Sequence, residues 1–213
     1  MFDNIRYDIK NIMQKDPAAR SAIEVFFLYP SVRALRDYRF AHWLYKHKCF
    51  FLARMVSQNS RRATNIEIHP AATIGKGLFI DHGAGVIIGE TTIIGDNCTL
   101  YQGVTLGGTG KDIGKRHPTL GNNVMVGAGA KILGPFTVGD NAKIAANAVV
   151  LSEVPPDATC VGVPGRVVRV KNQRVNDMDQ IHIPDPVAQQ FAAMQKQIDS
   201  LIQELETMKK GEF

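Results

Sequence analysis

The chain has 213 residues, 45% of them hydrophobic and 21% charged, with a net charge of +5. That composition fits one soluble globular domain, or one domain with short appendages. It excludes a membrane span, which needs about 18 apolar residues in a row, and a basic nucleic-acid tail, so neither membrane nor nucleic acid is expected as a partner.

The first zone, residues 1–63, reads as helical. Ile5, Ile9 and Ile12, and later Leu35, Tyr38 and His42, recur at helical spacing. Asp3, Asp8 and Lys10 rule out a secretory signal. Asp16 before Pro17 predicts an N-cap with proline in the first helical position. Pro30 with Ser31 predicts a break and a restart. Residues 33–62 mix aromatics with basic residues, as in Trp43, Tyr45, Phe50 and Phe51, which suits a helix packed on one side and solvated on the other.

Residues 64–170 follow another period. Ile68, Ile74, Ile80 and Val86 are spaced by six. The phase then slips by two, and Ile88, Ile94, Leu100 and Leu106 are again six apart. After an interruption come Leu120, Val126, Ile132, Val138, Ile144 and Val150 at the same spacing. This hexapeptide repeat is the signature of a parallel β-helix, in which each hexad supplies a short strand, a turn and one inward aliphatic. The excursion 107–118, GGTGKDIGKRHP, breaks the repeat with glycine and charge, and loops on rigid solenoids carry function. Beyond residue 170 the repeat fades. In the tail, 171–213, Val187, Phe191, Met194, Ile198, Leu201, Ile202 and Leu205 predict an amphipathic helix. The whole is an α+β chain: an N-terminal helical region, a left-handed parallel β-helix and a C-terminal helix.

Candidate chemistry gathers at the irregularities. His82 follows Asp81 where the repeat slips, and His117 follows Arg116 in the excursion. Two imidazoles, an arginine and an acid at the exceptions to a regular scaffold suggest a site. A three-histidine zinc site built from His69, His82 and His117 is a rival, but these residues lack a short-range ligand pair, so no metal is expected. Cys49, Cys98 and Cys160, an odd number without CxxC spacing, predict a reducing, cytoplasmic setting.

Residues 66–170 resemble the serine acetyltransferases. The matching stretches are IEIHPAATIGKGLFIDHGAGVIIGE at 66–90, VTLGGTGK at 104–111, RHPTLG at 116–121, VGAGAKILG at 126–134 and VGVPGRVV at 161–168. The resemblance implies acetyl transfer from acetyl-CoA to the hydroxyl of L-serine, the first step of cysteine biosynthesis from serine. It implies that His82 is the general base, supported by Glu67 where the family usually has Asp. It implies that Arg116 holds the serine carboxylate, that His117 helps to bind serine and act on it, and that Asp16 and Asp81 hold the α-ammonium. For CoA it implies Gly108, Thr109, Ala128 and Ala146 as backbone contacts, with Lys131 and Lys143 as phosphate partners. It further implies feedback inhibition by L-cysteine, a homotrimer with a hexamer as the alternative, and a C-terminal partnership with O-acetylserine sulfhydrylase. The family's longer members join trimers through an extended helical N-terminus, most of which this chain lacks. The sulfhydrylase partnership is implied by a terminal Ile, where this chain ends in Phe213. A sugar-directed acetyltransferase and a non-enzymatic scaffold remain alternatives on the repeat alone.

Overall fold

The computed structural model describes residues 2–110, 113–168 and 194–203. Four helices come first: α1 (Phe2–Lys15), α2 (Ala22–Leu28), α3 (Pro30–Lys46) and α4 (Phe50–Thr64). Asp16 directly follows the last residue of α1 and no helix starts at Pro17, contrary to the N-cap expectation. The cap of α2 is Ser21, whose Oγ accepts from the Glu24 N–H at 3.2 Å. Asp16 instead closes a turn onto the Ala18 N–H at 2.8 Å, a local bond that competes with helix for an Asp beside proline. Pro30 does restart the chain, at the first turn of α3. The expected helix over 33–62 is two helices, split at Lys48, which takes a left-handed φ of 63°.

The repeat region forms the left-handed parallel β-helix, with three faces. The first face stacks β1 (Ile66–Ile68), β4 (Val86–Ile88), β7 (Thr105–Gly107), β10 (Lys131–Leu133) and β13 (Val149–Val150). The second stacks β2 (Thr73–Ile74), β5 (Ile93–Ile94), β8 (Thr119–Leu120) and β11 (Thr137–Val138). The third stacks β3 (Phe79–Ile80), β6 (Thr99–Leu100), β9 (Met125–Val126), β12 (Lys143–Ile144) and β14 (Thr159–Val161), and ends in β15 (Arg166–Val168), which turns back antiparallel to β14.

Register explains the hexad pattern. Ile68, Ile88, Leu106, Ile132 and Val150 pair in succession up the first face. Ile80, Leu100, Val126, Ile144 and Cys160 do so up the third. All ten are buried in one continuous core. A regular coil advances 18 residues, as from Lys131 to Val149. The coil containing the phase slip takes 20, from Ile66 to Val86. The coil with the excursion takes 26, from Thr105 to Lys131. Departures from the period are therefore extra residues ejected at a corner, while the core stacks stay in line.

The helices seat on the first coils. Tyr38 donates to the Ala72 carbonyl at 2.6 Å, and Ser57 to the Ile68 carbonyl at 2.8 Å. Ala34, Leu35 and Tyr38 join the solenoid core. The α1 helix is clamped at one corner. Asp8, only 2% exposed, accepts from the Gly77 N–H at 2.7 Å and pairs with Arg39 at 2.6 Å. Lys15 donates to the Asn97 carbonyl at 2.7 Å. This clamp fixes where the next residue, Asp16, stands. Of the expected tail helix, residues 194–203 are helical, with Met194, Ile198, Leu201 and Ile202 exposed. Val187, Phe191 and Leu205 lie outside the described residues.

Candidate active site

The candidate residues fall on the two edges of the first face. At the edge between the third and first faces, His82 takes a left-handed φ of 56°, a conformation that costs a non-glycine residue energy and turns its side chain outward. The imidazole is 74% exposed, with Nε2 3.9 Å from Asp81 Oδ1. Burial raises the Asp81 carboxyl above the ordinary range; the charge of Asp16 adds to this and that of His82 opposes it. Asp16, brought in by α1, accepts from Ala18 N–H on one oxygen and from the Tyr29 hydroxyl at 2.6 Å on the other. The Tyr29 hydroxyl is pushed up to about 12, first by burial, then by its bond to Asp16 and the charges of Asp16, Glu24 and Asp81. Two carboxylates, a phenol and an imidazole thus converge from α1, the α2–α3 junction and the turn after β3.

At the opposite edge, between the first and second faces, the excursion folds back on the coil beneath. Arg116 forms an ion pair with Glu90. Thr91 receives the backbone N–H groups of Arg116 and His117 on Oγ1, at 3.0 and 3.1 Å. The His117 ring lies so close over Gly89 that a Cβ there would stand 1.9 Å from its Cδ2. Burial lowers the pKa of His117, with Arg116 and Lys115 acting the same way and Glu90 opposing. His69, one coil below Glu90, is likewise lowered, chiefly by burial. Glu90 is held below the usual carboxylate range by its bond to Arg116.

The structure brings Asp16, Asp81 and His82 together, and Arg116 together with His117, but joins neither set to the other: no described hydrogen bond or ion pair links the two edges. His69 and His117 share one edge and His82 occupies the other, so the three-histidine set does not assemble in one chain. Among the described residues no group of three or more His, Cys, Asp or Glu could hold a metal ion. Glu67 points outward from β1, and its carboxylate pairs with Arg61 at 3.2 Å and Arg54 at 3.7 Å. The expected bond from Glu67 to His82 is not present among the described residues, because the basic face of α4 captures the acid. The CoA candidates divide as the serine candidates do. Ala128 and Ala146 stack on the His82 edge, where the Asn147 N–H donates to the Ala128 carbonyl at 2.8 Å, and Lys131 donates there to the Gly103 carbonyl. Gly108 and Thr109 belong to the excursion, and Lys143 opens β12 on the third face.

Sequence reading missed Tyr29, Glu90 and Thr91. The last two had a signal. In the long coil, residues 26 apart stack, as Ile93 on Thr119, and Glu90–Arg116 and Thr91–His117 share that separation.

Two family models match: "Bacterial transferase hexapeptide (six repeats)" over residues 117–152 and "Hexapeptide repeat of succinyl-transferase" over 72–108. The chain is 51% identical over 210 residues to a serine acetyltransferase of Bacillus subtilis, covering 98% of this chain and 97% of that one. It is 50% identical over 206 residues to a serine acetyltransferase of Synechococcus elongatus, covering 97% and 84%. The chain belongs to the serine acetyltransferase family. Solved members agree in fold. A serine acetyltransferase in complex with cysteine superposes with a TM-score of 0.82 at 41% identity, covering 85% of this chain and 71% of that one. The Neisseria gonorrhoeae serine acetyltransferase in complex with serine gives 0.76 at 40% identity, over 78% and 68%. Among serine acetyltransferases, then, both the helical region and the β-helix of this chain have counterparts.

Proposed function

We propose that this chain transfers the acetyl group of acetyl-CoA to the hydroxyl of L-serine, giving O-acetyl-L-serine and CoA, at a site completed between two copies of the chain. The carrying observation is the convergence of Asp16 and Asp81 beside His82. A cationic amine fits between two carboxylates, one of them already held in place by Tyr29. The serine hydroxyl then faces an exposed imidazole able to take its proton. The serine Oγ attacks the thioester carbonyl, the C–S bond breaks, and the departing thiolate takes the proton that His82 accepted. Asp81 is the acid nearest that imidazolium. Arg116 offers the serine carboxylate a two-pronged partner in exchange for Glu90. A sugar acceptor would leave both carboxylates without a cation.

Because the Arg116 edge is remote from the His82 edge, a neighbouring copy has to supply it, which supports a homotrimer over a monomer. CoA would lie in the same seam, along Ala128 and Ala146 of one copy and Gly108 and Thr109 of the next. Lys131 and Lys143 remain the phosphate candidates. L-cysteine presents the same ammonium and carboxylate and would compete with serine. No described helix is long and apolar enough to cross a membrane. The three cysteines are free, which supports the cytoplasmic setting. The proposed sulfhydrylase contact falls at Phe213, outside the described residues. CoA release measured with L-serine, L-homoserine and a galactoside tests the reading: release with serine supports it, and release only with the sugar overturns it. Light scattering during size-exclusion chromatography checks the trimer.

A further inference from the structure

The hydrogen bonds around Thr91 can be counted to completion, and they fix the state of His117. Thr91 Oγ1 accepts two backbone N–H groups, from Arg116 at 3.0 Å and His117 at 3.1 Å. A hydroxyl oxygen has two lone pairs, so both are occupied and its hydrogen must be donated elsewhere. The remaining neighbour is His117 Nδ1, 2.9 Å away. The Thr91 backbone N–H points at the same nitrogen from 3.2 Å. Two donors facing one ring position require an unprotonated nitrogen there. A neutral His117 then carries its proton on Nε2, which has no hydrogen-bond partner among the described residues.

We propose that Thr91 is a positioning residue that locks His117 as the Nε2–H tautomer, so that His117 meets the bound substrates as a neutral hydrogen-bond donor to an acceptor oxygen, leaving the proton-accepting role to His82. The use in catalysis rests on the serine acetyltransferase reading above; the tautomer does not. Burial and the neighbouring Arg116 and Lys115 favour the neutral ring, against Glu90. Protonating Nδ1 would set an N–H against two donors. Gly89 lets the ring come close enough for this geometry. The acceptor oxygen is either the serine carboxylate or the acyl oxygen of the thioester, which the kinetics separate.

The test is a long-range proton–nitrogen correlation spectrum of the full chain labelled in its histidines, with His117 assigned by the signal lost in His117→Gln. The expected spectrum of the ligand-free parent at neutral pH has Nδ1 unprotonated and Nε2 protonated. In Thr91→Val both nitrogens should shift toward the averaged values of a mixed tautomer, and Thr91→Ser should restore the parent pattern. A protonated Nδ1 in the parent overturns the lock, and a Thr91→Val spectrum identical to the parent overturns the part assigned to the hydroxyl, since valine keeps the backbone N–H that faces Nδ1. Should Thr91→Val fail to fold, the parent spectrum decides alone. In the acetyl-transfer assay Thr91→Val should lose about tenfold in kcat/KM, the size of one hydrogen bond, and Thr91→Ser should recover most of it. Loss in KM for serine assigns the carboxylate, and loss in kcat assigns the acyl oxygen. An unchanged kcat/KM alongside a changed tautomer overturns the catalytic use. If the parent releases no CoA with serine but keeps the tautomer, the activity reading fails and the lock stands.

Discussion

The two edges of the first face are built by different means. The His82 edge is assembled from distant chain segments, with α1 clamped by Asp8 and Arg39, Tyr29 holding Asp16, and an exposed imidazole on a strained turn. The Arg116 edge is local to two stacked coils and saturated with hydrogen bonds through Thr91. The first is open and waits for charge, whereas the second already satisfies its own with Glu90. Reactivity and pre-organisation are thus divided between edges of one scaffold, and a seam between copies is the simplest way to unite them.

The largest expected effect comes from the open edge. His82→Ala should reduce turnover by about 10²–10⁴-fold, the usual contribution of a general base, while acetyl-CoA binding measured by calorimetry stays near the parent value. A turnover within a fewfold of the parent would transfer the base to the other edge and erase the contrast.

The clamp that builds the open edge is next. Arg39→Ala strands a buried carboxylate, and breaking such a pair costs about 3–5 kcal/mol, read by chemical denaturation. Burial already raises the Asp8 pKa, with Arg39 and the Gly77 N–H opposing. A folded-state pKa above the unfolded one means the folded protein holds the proton more tightly, so this group's contribution to stability falls as pH rises from about 4 through the raised value. Without Arg39 the pKa climbs further and the window widens. The deficit of Arg39→Ala should therefore be larger at neutral pH than near pH 4, and an equal deficit at both would mean that Asp8 is not charged in the clamp.

Arg116→Lys probes the closed edge. The ion pair with Glu90 survives in weaker form, the fork is lost, and the serine KM should rise by about tenfold. An unchanged KM would leave Arg116 as a strut for the excursion. The smallest effect is expected from Tyr29→Phe, which frees one oxygen of Asp16 while leaving its Ala18 bond. The serine KM should rise by a fewfold, about the value of one hydrogen bond, with kcat for saturating serine little changed. A fall in kcat alone would instead place Tyr29 near the reacting atoms.

The coils were legible because the solenoid core is strictly periodic: Leu120 to Val150 keep their spacing since each must land on the residue a coil below. The corners holding His82 and Arg116 were legible as the places where that period fails. Less could be read where a side chain answers to a neighbour outside the repeat. Glu67 looked free to reach His82, but α4 lays Arg61 and Arg54 beside it, and nothing in the hexads encodes how a helix sits on the first coil. Asp16 looked like a cap because Asp-Pro so often is one; Ser21, five residues on, took that role. Thr91 carries no mark of its own in the hexads; only the 26-residue coil sets it under His117.

The antiparallel reversal of β15 has a consequence for the life of the protein in solution. A parallel solenoid has no intrinsic last rung: any exposed final strand offers a row of N–H and C=O groups on which another chain can build. Val161, Cys160 and Thr159 would be that row, and they are paired instead with Arg166, Val167 and Val168 running the other way. The turn-back satisfies that row within the chain, with three residues, and leaves an antiparallel strand in place of a parallel rung at the edge of this face.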